Sequence, residues 1–233
     1  MPSAHDRSPF SRTALIAGAT GLVGRHLLDA LLASPQYSGI TAVVRRPLAR
    51  SDPRLDVRVV AFDQLAAAPP VPATDAFCAL GTTIAAAGSS DAFAGVDLGH
   101  VTAFARFARA GGVRRFVLVS SVGADPAASN FYLRVKGQAE RAVAAIGFEG
   151  LDIIRPGLLL GARSESRPAE AVAQRLMPLM TFALVGPLRK YRPVEASVVA
   201  AAMIGTTLAQ HEGVRVLEYD LIRRMAASAR ADR

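Results

Sequence analysis

A chain of 233 residues, 51% hydrophobic and 20% charged, is long enough for one α/β domain and too apolar to be disordered or fibrous. Its longest apolar runs, such as Leu176 to Val185, reach about half of a membrane-spanning helix, so no transmembrane segment is expected. The formal charge of +8 is spread over separate loops and tails (Arg45/Arg46, Arg114/Arg115, Arg189/Lys190, Arg223/Arg224), with no aromatic-interleaved basic stripe, and no nucleic-acid partner is expected.

A single cysteine, Cys78, excludes an intramolecular disulfide framework and any multi-cysteine zinc site. The four histidines, at positions 5, 26, 100 and 211, have no spacing that would put two on one metal, and no metal is expected. Residues 1–12 mix Pro, Ser, His, Asp and Arg without an apolar stretch. They do not read as a secretory signal, so none is expected, and cytoplasmic residence is expected.

Apolar, β-branched runs alternate with amphipathic stretches from near the start, the pattern of βαβ units in a parallel sheet covered by helices on both faces. Strands are expected at Ala14 to Ala17, Ile40 to Val44, Val57 to Val60, Ala76 to Leu80, Phe116 to Ser120 and Leu151 to Ile154. The intervening helices are Leu22 to Ala33, Val96 to Ala110 closed by Gly111-Gly112, and Tyr132 to Ile146. Beyond Arg155 the alternation weakens. A helix opened by Pro168, another over Ser197 to Gln210 and a last strand over Arg215 to Tyr219 are expected. The basic tail from Arg223 is expected to fray.

The segment Gly18-Ala19-Thr20-Gly21-Leu22-Val23-Gly24 joins the first strand to the first helix. Glycines there permit a tight turn and close approach of the backbone to a pyrophosphate, which the helix N-terminus then faces. The spacing is GxxGxxG and lacks the GK[ST] ending of a P-loop, so a nucleoside-triphosphatase of that type is disfavoured. An NAD enzyme of this build carries an acid about 20 residues on, at the end of the second strand. Arg45 and Arg46 stand there instead. A guanidinium pair suits a 2′-phosphate, which favours NADP over NAD, although an exposed turn in an Arg-rich chain would read the same. Asp63, after the third strand, could accept from the adenine amino group or serve as a helix cap.

Tyr132 and Lys136 lie four residues apart on one face of a predicted helix, where an ammonium beside a phenol suits general acid–base work on a carbonyl or alcohol. With only two lysines in the chain, Lys136 stands out. Ser120 and Ser121 close the preceding strand, where a hydroxyl could hydrogen-bond the reacting oxygen.

The succession GATGLVGRHLL, VVRRP, LGTT, VSSVGAD, SNFYLRVKGQAE, RPGLLL and ESRP resembles the atypical short-chain dehydrogenase/reductases, in particular their Tat-interacting-protein-like oxidoreductase branch, over residues 13–170. The resemblance implies a Rossmann-type doubly wound parallel sheet in a single domain. Its nucleotide-binding core would cover 12–160 and a small irregular substrate region 161–222, with flexible ends at 1–11 and 223–233. It also implies that Gly18, Gly21, Leu22, Val23 and Gly24 line the pyrophosphate, that Arg45 and Arg46 take the 2′-phosphate, and that Leu80 and Gly81 back the adenosine. Leu159 and Arg167 would close over the nicotinamide end, with Thr20, Asp63, Thr82 and Pro156 as further cofactor contacts. Tyr132 would exchange the proton, helped by Lys136. The chain departs at Asp97, where many extended relatives carry the Asn of a VNxxGT motif.

Two functions follow as expectations: an NADP-dependent oxidoreductase acting on a small carbonyl or alcohol, or an NADP-binding interaction protein with little turnover. For the second, the apolar stretch 176–185 would supply a homodimer or protein-partner face.

Overall fold

The computed structural model describes residues 12–161 and 184–231. The helix expected from Pro168, Arg167 and most of the apolar stretch 176–185 lie outside the described residues.

The elements in chain order are β1 (Arg12–Ala17), α1 (Leu22–Ala33), β2 (Tyr37–Val44), β3 (Leu55–Val59), β4 (Asp75–Cys78) and two short helices, α2 (Ile84–Ala87) and α3 (Ser90–Ala94). A π-helical turn, Gly95–His100, leads into α4 (Val101–Ala110), followed by β5 (Arg115–Val119), α5 (Phe131–Ala144), β6 (Gly150–Ile154) and β7 (Leu159–Leu160). The last elements are β8 (Val194–Glu195), α6 (Ala196–Leu208), β9 (Gly213–Leu217) and α7 (Tyr219–Ala231). Seven parallel strands form one sheet in the order β3-β2-β1-β4-β5-β6-β9, and β7 pairs with β8 in a small second sheet. This is the doubly wound single domain that the alternation of elements implies. The strand order reverses between β1 and β4, so the crevice beyond their carboxyl ends is the place for a ligand.

Successive residues of β1 serve opposite faces. Ile16 joins Leu27, Leu31, Phe77, Val199 and Met203 in the core beneath α1 and α6. Leu15 and Ala17 join Phe62, Phe104, Phe116 and Val143 beneath α4 and α5. Both faces of the strands are covered, which is why these strands read as continuous apolar runs instead of alternating ones.

β1 starts two residues earlier than its apolar run because Arg12 is held by the buried Asp75 through two contacts of 2.7 Å. The Tyr37 hydroxyl donates to the same carboxylate at 3.2 Å and meets Thr207 Oγ1 at 2.9 Å, closing a polar network at the strand ends remote from the crevice.

In the C-terminal third, the helix expected over Ser197 to Gln210 and the strand expected over Arg215 to Tyr219 are present as α6 and β9, and what differs is how they are used. β9 pairs in register with β6, and α6 packs on α1, so much of 184–217 completes the sheet and its layers. Residues 223–231 belong to a helix, not a frayed tail. Ile222, Ala226 and Ala229 recur at helical spacing on the buried side of α7, and a Cβ on Gly205 of α6 would come within 2.0 Å of the Met225 carbonyl oxygen. Two small-residue faces thus let α6 and α7 cross closely. Arg223, Arg224 and Arg230, which flank those alanines, hide this face from a reading by composition.

Candidate functional site

The glycine loop is shaped by backbone contacts that admit no side chain. Gly18 has φ +84, and a Cβ there would lie 2.5 Å from the Ala79 carbonyl, so the loop after β1 is pressed against the chain leaving β4. A Cβ on Gly24 would lie 1.9 Å from Gly18 O, which fixes how closely α1 follows the turn. The Gly21 amide closes the turn by donating to Gly18 O at 2.9 Å. At the α1 N-cap, Gly21 has no side chain to offer the first amides of the helix, and no acidic residue stands in its first turn. An anion placed there meets free N–H donors and the positive end of the helix without competition. Thr20 and Gly21 are exposed, Leu22 is half-buried and Val23 is buried. The residues present therefore fit a dinucleotide pyrophosphate.

The chain pressed against Gly18 runs on through Leu80 and Gly81 to the second half of the site. A Cβ on Gly81 would lie 3.4 Å from Lys136 Nζ and 3.5 Å from Asp97 Oδ1. Nζ and Oδ1 are 2.6 Å apart, with only 8% of the lysine side chain and none of the aspartate side chain exposed. Asp97 Oδ2 accepts from the Thr82 amide at 2.9 Å. One buried carboxylate therefore ties together the π-helical turn, α5 and the loop after β4.

Tyr132 stands one turn before Lys136. Asn130 caps α5 by accepting from the Leu133 amide at 3.1 Å, placing Tyr132 in the first turn. The tyrosine is half-buried, and its ring lies 5.3 Å, centroid to centroid, from that of the fully buried Phe93. A Cβ on Gly137 would come within 2.2 Å of the Asp125 backbone, so α5 can lie directly on the loop that follows Ser120 and Ser121. Ser120 is buried, and its hydroxyl has no hydrogen-bond partner among the described residues. Ser121 is half-buried, and among the described residues its hydroxyl reaches only the Val122 carbonyl, at 3.4 Å.

At the other end of the crevice, Arg45 and Arg46 are exposed immediately after β2, and neither is ion-paired with a described carboxylate. Asp63 is exposed on a 3-10 turn, Phe62–Gln64, that follows β3. The neighbouring Phe62 is buried and stacks on His100 with centroids 5.5 Å apart and planes inclined by 25°. Burial and the charge of Arg45 hold the His100 imidazole below its ordinary pKa, with Asp63 pulling weakly the other way. Pro156 is buried behind β6, its carbonyl accepting from the Val122 amide at 3.0 Å, and Leu159 sits on β7 opposite Val194. Arg167 lies outside the described residues. Cys78, at the end of β4, is fully buried, and burial pushes its thiol up to about 12.

Asp97, Phe93 and His100 were not assigned roles by sequence reasoning. Phe93 and Asp97 are four residues apart, a spacing that hints at one face, yet their partners Tyr132 and Lys136 are more than thirty residues away. No local pattern reports such a contact. The π-helical turn adds a residue to the helix expected over Val96 to Ala110, and so lay beyond a reading based on 3.6 residues per turn.

The fold and the glycine cradle define a dinucleotide-binding protein. Residues 18–175 match the model of a family described as NAD(P)H-binding, and the chain belongs to that family, in the Tat-interacting-protein-like branch of the atypical short-chain dehydrogenase/reductases. A protein of Aspergillus clavatus named "Protein fmp52, mitochondrial" is 39% identical over 213 residues, covering 88% of this chain and 90% of its own. "Protein HTATIP2" of Rattus norvegicus is 39% identical over 170 residues, 71% of this chain and 70% of its own. Among solved structures, human epimerase family protein SDR39U1 with NADPH superposes with a TM-score of 0.63 at 19% identity, covering 88% of this chain and 74% of that one. MoeE5 in complex with UDP-glucose and NAD gives 0.65 at 19% identity, covering 92% and 81%. At such identities these structures speak for the fold alone.

The relatives overturn the cytoplasmic residence expected above, since several matched fungal proteins are named as mitochondrial. The sequence argument rested on the lack of an apolar stretch in residues 1–12. That test detects secretory signals and is blind to mitochondrial ones, which are Arg- and Ser-rich and need no such stretch.

Proposed function

We propose that this protein is an NADP-dependent oxidoreductase that reduces a small carbonyl compound, or oxidises the corresponding alcohol, with Tyr132 as the proton-transferring group. The observation that carries the reading is the continuity from the glycine cradle through Ala79 and Gly81 to Lys136, one helical turn from Tyr132. A dinucleotide with its pyrophosphate at Gly18–Gly24 would extend toward the tyrosine with its nicotinamide end and toward Arg45 and Arg46 with its adenosine end.

When bound, the reduced cofactor supplies a hydride to the carbonyl carbon. Tyr132 gives its hydroxyl proton to the carbonyl oxygen as the new C–H bond forms, so that an alcohol and a tyrosinate result. Lys136, one turn along α5 and paired with Asp97, would stabilise that tyrosinate and would be the side chain to hold the ribose hydroxyls. The buried, unpartnered Ser120 hydroxyl and the half-buried Ser121 hydroxyl at the same strand end are the two candidate donors to the substrate oxygen. Arg45 and Arg46 supply the bidentate donors for a 2′-phosphate, and no carboxylate stands with them to favour the unphosphorylated ribose.

The test is NADPH consumption against a panel of small aldehydes and ketones, with the alcohol product quantified. The wild-type chain turns over, and Tyr132→Phe loses turnover while retaining NADPH affinity within about twofold. A wild-type chain that binds NADPH and reduces nothing on the panel favours the interaction-protein reading. Equal loss of binding and turnover in Tyr132→Phe removes its proton-transfer role.

A further inference from the structure

We propose that His100 is a specificity residue for the phosphorylated cofactor, acting with Arg45 so that the preference for NADP(H) over NAD(H) increases as the pH falls. The inference rests on the NADP reading above and adds to it a residue and a proton.

Three observations meet at this side chain. His100 closes the π-helical turn and is only half-buried. Its plane is fixed by stacking on the buried Phe62, at 5.5 Å and 25°, directly beside Asp63 on the same 3-10 turn. The charged groups that face it from neighbouring elements are Arg45, after β2, and Asp63, after β3. Burial and Arg45 together oppose a proton on the ring, and Asp63 offsets them only in part.

Burial first, and the charge of Arg45 second, thus disfavour a proton on the imidazole in the free protein. A 2′-phosphate beside Arg45 cancels that cation and adds negative charge near the ring, which favours uptake of a proton by His100. NADPH binding then takes up part of a proton, and the same coupling makes NADPH bind more tightly as the pH drops toward 6. NADH has only a hydroxyl at that position and carries no such linkage. The phosphate's own protonation, with a pKa of about 6, acts in the opposite direction and is common to every variant.

The experiment is titration of the full chain with NADPH and with NADH, read by cofactor fluorescence in a chain that has no tryptophan to interfere. Affinities are measured between about pH 6 and pH 8, for wild type, His100→Phe, His100→Gln and Arg45→Ala. Phe keeps a ring on Phe62 and Gln keeps a polar group, so at least one neutral replacement retains the local fold. In the wild type the ratio of NADPH to NADH affinity is expected to rise about three- to tenfold from pH 8 to pH 6, one proton allowing at most tenfold per pH unit. In the folded His100 variants that rise disappears or reverses. A His100 variant with the wild-type pH dependence overturns the inference while leaving the NADP reading intact. If Arg45→Ala leaves the ratio unchanged at every pH, the assignment of the 2′-phosphate to Arg45 fails, and the inference with it.

Discussion

Replacing Asp97 with Asn keeps the size of the side chain and an oxygen to accept from the Thr82 amide, but leaves the Lys136 ammonium buried without a counter-charge. With 8% and 0% of the two side chains exposed, solvent screens this pair little. Breaking such a pair by removing one partner costs about 3–5 kcal/mol, most of it the desolvation of the charge left behind. For a chain of 233 residues the unfolding entropy is about 0.5 kcal/mol per degree, so the melting temperature should fall by about 6–10 °C. Lys136→Met should cost a comparable amount by stranding the carboxylate. The double variant Asp97→Asn/Lys136→Met strands no charge, and should recover about 2–4 kcal/mol relative to the sum of the two single changes. Denaturant unfolding of the four proteins measures that coupling directly. Additivity within about 0.5 kcal/mol would refute the claim that Asp97 acts on the fold through Lys136.

Gly24→Ala places a methyl group where only 1.9 Å separates it from the Gly18 carbonyl oxygen. The glycine loop must then move off α1, at a cost of about 1–3 kcal/mol in stability and more than about tenfold in NADPH affinity, read by melting and by cofactor titration. Unchanged NADPH affinity would mean that the loop is not the pyrophosphate cradle. Cys78, buried and with its thiol pushed up to about 12, carries almost no thiolate at pH 8. A disulfide reagent should modify it at least about a thousandfold more slowly in the folded chain than in denaturant, and modification at comparable rates would place it at the surface instead.

Much of the fold was legible because each strand is covered on both faces. β1, β4, β5 and β6 therefore appear as apolar runs, and the glycines after β1 mark the turn where the strand order reverses. The same uniformity blurs boundaries. The sequence reading missed the true starts of β1 and β4 because Arg12 and Asp75 are polar, although they satisfy each other across 63 positions. α7 was hidden by Arg223, Arg224 and Arg230, which flank the small residues packed toward Gly205. Within the site, placement set by the local backbone was readable: Gly18 and Gly24 in the turn, Tyr132 and Lys136 one turn apart on α5. Asp97, Phe93 and His100 matter through contacts made at long sequence separation, and only the packing of the π-helical turn against α5 and Phe62 reveals them.

Hydride transfer itself is the most direct test of the proposed chemistry. NADPH carrying deuterium at the transferred C4 position should deliver it to the carbonyl carbon of the alcohol product in the wild-type chain. Tyr132→Phe, saturated with the same cofactor, should deliver at least about a hundredfold less, the scale of a lost general acid. Failure of the saturated wild-type chain to transfer deuterium to any substrate, or transfer by Tyr132→Phe at the wild-type rate, would contradict the account.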